Sequence, residues 1–283
     1  MTSSSSASDQ VRFEFGANWS RFLECVDERR IEAAEASMLE MIGGREAIAG
    51  RTFLDAGSGS GLSTLAAVRL GAARVHSFDY DPKSVATTAE IKRRFAPDSV
   101  PWTVERGDIL DDAYVASLGR WDVVYSWGVL HHTGRMWDAI ANASELVADS
   151  GVLFIAIYND QRRKTRLWKK IKRLYSASAI GRVAVLTAFV PYWVVRGVAG
   201  DVLSLRNPLR RYQDYQSERG MSLVHDWIDW LGGYPFETAR PEEVFRFLHE
   251  RGFSLRNLRT AGGGLGCNEF VFERTPRAVV HEP

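Results

Sequence analysis

The chain has 283 residues, and 45% of them are hydrophobic, which is enough for one large domain or for one domain with a sizeable insertion. Its formal net charge is +1 and its isoelectric point is about 7.8, so the overall charge argues against a general preference for polyanions such as nucleic acids. Cys25 and Cys267 lie far apart, and no cluster of Cys, His, Asp or Glu has metal-ligand spacing. We therefore expect free thiols and no metal site.

The two ends of the chain are predicted to be tails. Residues 1–10, MTSSSSASDQ, are polar and lack the apolar core of a signal peptide, which predicts disorder, and residues 276–283 are predicted to form a second tail. No stretch approaches about twenty uninterrupted apolar residues, so we expect no membrane-spanning helix. These features, with the free thiols, predict a cytoplasmic protein.

Residues 11–50 are predicted to form an N-terminal helical segment. Phe15 and Trp19 stand in an aromatic cluster near its start, and residues 24–42 have an amphipathic pattern that ends at Gly43. The aromatic side chains could anchor the segment to the core or screen a ligand site from water. Burial would look the same in the sequence, so both interpretations stay open.

The run FLDAGSGSG, residues 53–61, predicts a buried strand that leads into a glycine-rich turn. The turn glycines stand on alternate positions: Gly57, Gly59 and Gly61. Because glycine has no Cβ atom, backbone in such a turn can approach a ligand closely. Residues 62–70 carry apolar residues at helical spacing, so a helix follows. A glycine-rich turn between strand and helix favours a nucleotide site, and the alternative is an ordinary tight turn.

The spacing of this turn also argues against two common ligands. A dinucleotide site has the pattern GxGxxG, and a phosphate loop ends in Gly-Lys-Ser/Thr; neither is present. Asp55 precedes the glycines, and its carboxylate would repel a phosphate. An acid at this position suits a ligand that carries an ammonium group.

Four further runs are predicted to be strands alternating with helices: residues 74–79, 102–104, 121–126 and 151–157. Asp79 ends the first of these, where it could accept from two ribose hydroxyls. Asp108 follows the next strand, where it could accept from an adenine amino group. This alternation predicts a doubly wound α/β sheet with its ligand at the carboxyl ends of the strands.

LDAGSGSG, the acid in FDYD, Gly107-Asp108 and the run WDVVYSWGVLHH together resemble the class I S-adenosylmethionine-dependent methyltransferases, closely over about residues 50–158. The resemblance implies a Rossmann-like seven-stranded sheet with its last strand antiparallel, and S-adenosyl-L-methionine as the cofactor. Residues 240–252 fit the final helix of this fold. Residues 253–259 and 268–273 fit its last two strands.

The resemblance also implies roles for individual residues. Asp55 and Gly57 would lie near the methionine end of the cofactor, Asp79 would hold the ribose, and Asp108 with Ile109 would meet the adenine. The remaining candidates of the cofactor site are Ser58, Gly59, Gly61, Tyr80, Ser126 and Trp127. In similar enzymes the N-terminal segment often folds over the cofactor, which gives residues 11–50 their interpretation as a lid.

His131 and His132 follow the fourth strand, next to where the transferred methyl group should lie. Histidine suits a general base because its pKa lies near neutral pH. A structural role, with one or both rings capping the following turn or bonding to the core, is the alternative. Simple proximity of the two substrates could also supply much of the rate, so a base is not required.

A second candidate lies in the run VHDWIDW, residues 224–230. His225 and Asp229 are four residues apart and would share one face of a helix, so the pair could orient an imidazole for proton abstraction. Trp227 and Trp230 could wall a substrate pocket. The alternative is a helix that docks its aromatic face on the core. The full set of substrate-contact candidates is Phe15, Trp19, Tyr158, Trp227 and Trp230.

Residues 159–233 are predicted to form a helical insertion after the fifth strand that caps the substrate site. It contains a densely basic stretch at residues 162–173 and an apolar stretch at residues 183–195. Three explanations stay open: a solvated basic face, a pocket for an anionic substrate, or contact between residues 162–195 and a membrane surface or lipophilic substrate.

The predicted function is transfer of a methyl group to O, N or C of a small apolar, aromatic or anionic metabolite. The alternatives are a methyltransferase that acts on RNA or protein, and a cofactor-binding protein without catalysis.

The fourth strand is followed by SWGV and not by the Asn/Asp-Pro-Pro-Tyr/Phe motif of amino-methylating nucleic-acid enzymes, so no nucleic-acid partner is expected. A homodimer is possible. The predicted division is residues 1–10, 11–50, 51–158, 159–233, 234–275 and 276–283.

Overall fold

The computed structural model describes residues 23, 26–97, 99–204, 207, 230–264 and 266–276. The predictions made for Phe15, Trp19, His225 and Trp227 lie outside these residues. So do those made for the tail at residues 1–10, for most of the tail at residues 276–283 and for Cys25.

Seven strands form one sheet: β1 (Thr52–Ala56), β2 (Arg74–Asp79), β3 (Trp102–Arg106), β4 (Trp121–Trp127), β5 (Val147–Tyr158), β6 (Phe253–Arg259) and β7 (Cys267–Arg274). Their order across the sheet is β3-β2-β1-β4-β5-β7-β6. Neighbouring strands from β3 to β5 pair in parallel, whereas β7 is antiparallel to both β5 and β6. The predicted seven-stranded α/β fold with an antiparallel last strand is therefore confirmed.

The α-helices among the described residues are α1 (Glu28–Ile42), α2 (Leu62–Arg69), α3 (Pro82–Phe95), α4 (Asp112–Ser117), α5 (Met136–Glu145), α6 (Arg163–Ala177), α7 (Ala179–Leu203) and α8 (Pro241–His249). Local chemistry sets several of their ends. Asp81 caps α3 by accepting from the Lys83 N–H at 2.8 Å, and Pro82 occupies the first turn, where its missing N–H is not needed. Gly43 ends α1 in the left-handed conformation.

The sheet is covered on both faces, because successive side chains of a strand point to opposite sides. On β1, Phe53 belongs to one hydrophobic cluster and Leu54 to another. The cluster of Leu54 includes residues of α5 and α8, and the cluster of Phe53 includes residues of α1 and α2. This two-sided burial explains why the central strands read as almost continuous apolar runs.

Helices α6 and α7 follow β5 and form an antiparallel hairpin. Gly181 lies so close to the turn that a Cβ atom there would overlap the carbonyl oxygen of Leu174. Trp168 of α6 contacts Phe189 of α7 with ring centroids 5.4 Å apart. Tyr175, Val185 and Leu231 form the buried centre of this region.

Helix α7 is longer than the apolar stretch at residues 183–195 that the sequence shows. It continues through Pro191 for 25 residues, and its hydropathy averages 1.5 over an 18-residue window. By length and composition alone it could cross a membrane, although Arg182 and Arg196 interrupt its apolar run. The expectation of no membrane-spanning helix counted only uninterrupted apolar residues, and it stays a prediction.

Candidate active site

A cavity of about 670 Å³ opens at the carboxyl ends of the parallel strands. This volume lies within the range of roughly 300–1,000 Å³ that is typical of small-molecule sites. Most of the residues predicted to bind cofactor line it: Asp55, Gly57, Ser58, Gly59, Asp79, Tyr80, Asp108, Ile109 and Trp127. The lining residues among those predicted for catalysis or substrate contact are His132, Tyr158 and Trp230.

The glycine-rich turn needs glycine for two different reasons. Gly57 has φ of 90°, and a Cβ atom there would overlap the side chain of Val129, so this position is closed to any larger residue. Gly61 has φ of 79°, and a Cβ atom there would lie 2.9 Å from Cα of Thr88 in α3. Gly61 does not line the cavity. Its role is to let α2 pack against α3, which differs from the cofactor contact that the sequence predicted.

Asp55 is buried at the end of β1, where its Oδ2 atom accepts from Thr64 Oγ1 at 2.5 Å. Burial raises the pKa of this carboxyl to about 7, the Thr64 bond opposes the rise, and the nearby Asp79 adds to it. A cation that entered the cavity here would stabilise the ionised carboxylate. Asp55 is therefore suited to a ligand with an ammonium group.

Asp79 ends β2 and is held by two backbone donors. The Gly59 N–H donates to Oδ2 and the Asp81 N–H donates to Oδ1, each at 2.9 Å. Burial raises the pKa of Asp79, and these hydrogen bonds act in the opposite direction. The carboxylate is thus fixed at the cavity wall with acceptor capacity left for a ligand hydroxyl.

The end of β3 supplies a third acid. Asp108 lines the cavity beside Ile109, and its Oδ1 atom accepts from the Leu110 N–H at 2.9 Å. A Cβ atom on Gly107 would overlap the ring of Tyr114, so the chain turns tightly against that ring. Tyr80 also lines the cavity and is 49% exposed.

Two neighbouring residues at the end of β4 have different roles. Ser126 is fully buried and does not line the cavity; its hydroxyl donates to the carbonyl oxygen of Ala56 at 2.7 Å and so ties β4 to β1. The prediction that Ser126 lines the site is corrected accordingly. Trp127 lines the cavity, is 47% exposed, and its Nε1–H donates to Glu269 at 3.2 Å.

The adjacent histidines also separate into two roles. His131 is fully buried outside the cavity wall, and its ring lies 4.2 Å from that of Tyr158. Burial holds its pKa well below the usual range, with the charges of His132 and Lys172 adding to the effect. His131 is therefore the neutral, structural member of the pair, and the predicted catalytic role does not fit its position.

His132 lines the cavity, and its Nδ1 atom lies 2.6 Å from the carbonyl oxygen of Pro235. Since a carbonyl oxygen only accepts, Nδ1 carries the hydrogen. In the neutral ring Nε2 is then the nitrogen that can accept a proton. A second bond holds the loop between β4 and α5: the Glu237 N–H donates to the carbonyl oxygen of His131 at 3.0 Å.

Aromatic side chains form the wall opposite the glycine-rich turn. Tyr158 contacts Trp230 edge-on with ring centroids 5.6 Å apart, and it also lies 5.1 Å from Phe236. Lys172 of α6 is fully buried, with Nζ 4.2 Å above the Trp230 ring and 4.8 Å above the Phe236 ring. These cation–π contacts attach the hairpin to the cavity wall.

Several lining residues were not predicted from the sequence, among them Tyr125, Val129, Tyr234 and Cys267. Cys267 carries a signal that could have been used. It pairs with Tyr158 because β7 is antiparallel, so its first residue meets the carboxyl end of β5. Burial and Glu269 raise the pKa of the Cys267 thiol to about 12, so it is a neutral thiol at physiological pH.

Within the described parts of the chain, no group of three or more His, Cys, Asp or Glu side chains could hold a metal ion.

Comparison with known proteins gives three kinds of match. The family described as "Methyltransferase domain" matches residues 54–153. The ribosomal protein L11 methyltransferase of Xanthomonas campestris pv. campestris is 41% identical over 61 residues, which are 22% of this chain and 20% of that protein. The enzyme of the same name from Halorhodospira halophila is 46% identical over 67 residues, 23% of this chain and 22% of that protein. The chain thus spans about a fifth of the length of these curated relatives.

Solved structures match over most of the chain. Magnesium protoporphyrin IX methyltransferase from Synechocystis PCC 6803 with bound SAH has a TM-score of 0.54 at 14% identity, covering 92% of this chain and 94% of that one. An O-methyltransferase family protein from Burkholderia thailandensis has a TM-score of 0.52 at 16% identity, and the match covers 94% of this chain and 64% of that one. At these identities the likeness is one of fold. The resemblance to class I methyltransferases that the sequence motifs predicted is confirmed.

Proposed function

We propose that this chain, which matches the family described as "Methyltransferase domain" over residues 54–153, transfers the methyl group of S-adenosyl-L-methionine to a small apolar or aromatic molecule. One observation supports this most directly. A single cavity joins acids at the strand ends, Asp55 and Asp79, to an aromatic wall that contains Tyr158 and Trp230.

The residues present fit this cofactor. Asp55 is a buried carboxyl whose pKa is raised to about 7, so it gains a favourable partner when an ammonium group approaches. The methionine part of the cofactor carries such a group, and Gly57 leaves room for it because no side chain projects from the turn. Asp79 offers its carboxylate to the ribose hydroxyls, and Asp108 with Ile109 meets the adenine.

When bound, the cofactor would supply an electrophilic methyl group on a sulfonium centre; the acceptor would attack this carbon in line with the C–S bond, and S-adenosylhomocysteine would leave with the electron pair of that bond. The chain has to hold the two molecules in that line and keep water out, which can account for much of the rate. Tyr158, Trp230 and Trp127 give the cavity an apolar, aromatic end for the acceptor.

His132 is the residue we assign to any proton transfer. Its Nδ1–H donates to the carbonyl oxygen of Pro235 at 2.6 Å, which fixes the ring and leaves Nε2 as its basic nitrogen. A hydroxyl or thiol acceptor has to lose a proton, and a general base contributes about 10²–10⁴-fold to such a step. An acceptor that is already deprotonated would need only positioning.

A second candidate is methylation of a protein, because the curated relatives are enzymes for a ribosomal protein. Those matches leave about four fifths of each relative unaligned. The aromatic wall of the cavity favours a small flat acceptor over an extended side chain such as lysine. The cytoplasmic location and the homodimer remain predictions from the sequence alone.

The test is methyl transfer with S-adenosyl-L-methionine labelled in its methyl group. The full chain is incubated with pools of apolar, aromatic and anionic metabolites, and separately with ribosomal protein L11. We expect label in a small organic product, and at least about tenfold less transfer by the Asp79→Asn variant when the cofactor concentration is below the dissociation constant of the wild type. Label that enters L11 and no metabolite pool would overturn the small-molecule assignment and support the second candidate.

A further inference from the structure

The hairpin of α6 and α7 has a charge unlike that of the rest of the chain. Residues 163–203 contain nine basic residues and one acidic residue, a charge of +8, whereas the whole chain carries +1. The remainder of the chain is therefore net negative. The one acid, Asp201, is buried, so it contributes little negative charge to the outer surface of the hairpin.

The exposed side of α7 is largely apolar, with Arg182, Thr187 and Arg196 as its exposed polar residues. Its inner face buries Gly181 and Val185 and packs Phe189 on Trp168. Elsewhere on α7, Ile180 is 83% exposed and Val195 is 67% exposed. A helix of a globular protein normally presents charged or polar residues to water on this side, so the face lacks the expected covering or solvation.

Exposed apolar residues are concentrated on this hairpin. Among the described residues, eight of the twelve large hydrophobic side chains that are exposed belong to it: Leu167, Leu174, Ile180, Val183, Tyr192, Val195, Val202 and Leu203. A concentration of this kind marks an interaction surface, whereas scattered single residues would need no explanation.

Helix α6 combines both properties on one face. Leu167 and Leu174 are two turns apart and exposed, and they are flanked by the exposed basic residues Arg163, Arg166 and Lys170. The opposite face carries Thr165, Lys172 and Tyr175, which are buried. A basic rim around apolar side chains is the pattern of helices that lie in the headgroup region of a membrane.

We propose that the α6–α7 hairpin docks the protein peripherally on an anionic lipid bilayer. Anionic headgroups match the +8 charge, and the acyl boundary covers the exposed apolar residues. A nucleic acid would match the charge but offers no cover for Ile180 and Val195. A second copy would bring two strongly positive hairpins together, which disfavours self-association through this face.

Peripheral docking fits the hairpin better than a membrane crossing. Helix α7 is bound along one side to α6 through Trp168 and Phe189, and α6 carries seven basic residues. A crossing would pull that charge into the hydrocarbon, which is costly. Trp168 also contacts Trp230 on the cavity wall, with ring centroids 5.6 Å apart. The hairpin and the cavity are therefore connected through packed side chains.

The proposal does not depend on methyl transfer, and its test measures lipid binding alone. The full chain is sedimented with vesicles of phosphatidylcholine and with vesicles that also contain phosphatidylglycerol, at low and at high salt. We expect binding to the anionic vesicles, little binding to the neutral ones, and release at high salt. Salt should release the protein because it screens the attraction between the basic residues and the anionic headgroups.

Two matched pairs of variants identify the surface. Lys164→Gln with Lys170→Gln removes two exposed charges of the hairpin, and should weaken anionic-vesicle binding on the order of tenfold or more. Arg29→Gln with Arg246→Gln removes two exposed charges elsewhere and should change it little. Ile180→Ser with Val195→Ser should weaken binding, whereas Phe245→Ser with Leu258→Ser should not.

Three results would overturn the proposal. The first is wild-type protein that stays in the supernatant with anionic vesicles while thermal unfolding shows it to be folded. The second is equal loss of binding in the hairpin variants and their controls. The third is a concentration-dependent dimer in sedimentation velocity that Ile180→Ser with Val195→Ser abolishes, since the apolar face would then belong to a second copy.

Discussion

The backbone N–H of Gly59 donates to Oδ2 of Asp79 at 2.9 Å, and this bond joins the glycine-rich turn after β1 to the end of β2. Two motifs that are twenty residues apart in the sequence thereby become one wall of the cavity. The same carboxylate also accepts from the Asp81 N–H through Oδ1. Asp79 therefore both shapes the turn and lines the cavity, which makes it the most informative residue to change.

Asp79→Asn should weaken binding of S-adenosylhomocysteine by about 10- to 100-fold. The amide keeps one acceptor oxygen for the Gly59 N–H but loses the charge that strengthens hydrogen bonds to ribose hydroxyls, a loss of about 1.5–3 kcal/mol. Calorimetric titration measures the change. Asp149→Asn is the matched control, because Asp149 is an exposed acid paired with Arg120 at the start of β5. Equal affinity in the wild type and Asp79→Asn would remove the ribose assignment.

Gly57→Ala should abolish cofactor binding and destabilise the fold. The new Cβ would overlap Val129, and φ of 90° is unfavourable for alanine by about 1–2 kcal/mol. Gly119→Ala is the control, since Gly119 has φ of 67° but open space around its Cβ position. The decrease in the free energy of unfolding of Gly119→Ala, measured with urea, should reflect the backbone conformation alone. Adding Val129→Ala to Gly57→Ala should recover part of the loss; no recovery would argue against the overlap.

The stability of the ligand-free protein should fall as pH rises from about 4 to about 7. Burial raises the pKa of Asp55 from 3.8 to about 7, so between these values the folded state holds a proton that the unfolded state has released. Asp79 is shifted in the same direction. Asp55→Asn should make the free energy of unfolding less dependent on pH. At pH 8 this free energy should exceed that of the wild type by up to a few kcal/mol. Urea unfolding at pH 5 and pH 8 measures this, and identical profiles for both proteins would contradict it.

Binding of S-adenosylhomocysteine should release a proton near pH 7. An ammonium group beside Asp55 stabilises the carboxylate and lowers its pKa, so affinity should rise as pH rises from 5.5 to 8. Calorimetry in two buffers with different ionisation enthalpies counts the protons. Asp55→Asn should bind without this release. Proton uptake, or an unchanged release in the variant, would place the ammonium group elsewhere.

His132→Gln should lower turnover of an acceptor that must lose a proton by about 10²-fold or more, with little change in affinity for S-adenosylhomocysteine. His131→Phe, which keeps a buried ring against Tyr158, should leave turnover close to the wild-type value. An acceptor that is already deprotonated separates a base from a packing role, because His132→Gln should slow its methylation much less than that of an acceptor that must lose a proton. Equal slowing of both acceptors, or no slowing of either, would show that His132 is not the base.

Much of the core was predictable from the sequence because its signals are local. The run at residues 74–79 predicted β2 with correct ends, and Asp81-Pro82 marked the start of α3. The family resemblance predicted the bounds of β6. The acids after β1, β2 and β3 line one cavity because parallel strands end at one edge of the sheet. These features follow from the order of elements and need no knowledge of long-range packing.

The features that sequence analysis missed depend on contacts between distant segments. The difference between His131 and His132 is set by Pro235, which is more than one hundred residues away. Ser126 points toward the Ala56 carbonyl and not the cavity, which only the pairing of β4 with β1 determines. Lys172 lies in a basic run for which a solvated face was one of three open explanations, yet its ammonium is buried against two aromatic rings.

The measurement that tests the central claim most directly is calorimetric titration of the full wild-type chain with S-adenosylhomocysteine, alongside Asp79→Asn. The account predicts one binding site per chain in the micromolar range or tighter for the wild type, and at least about tenfold weaker binding for the variant. Absence of binding to wild-type protein that unfolds cooperatively on heating would contradict the assignment of the cavity to this cofactor.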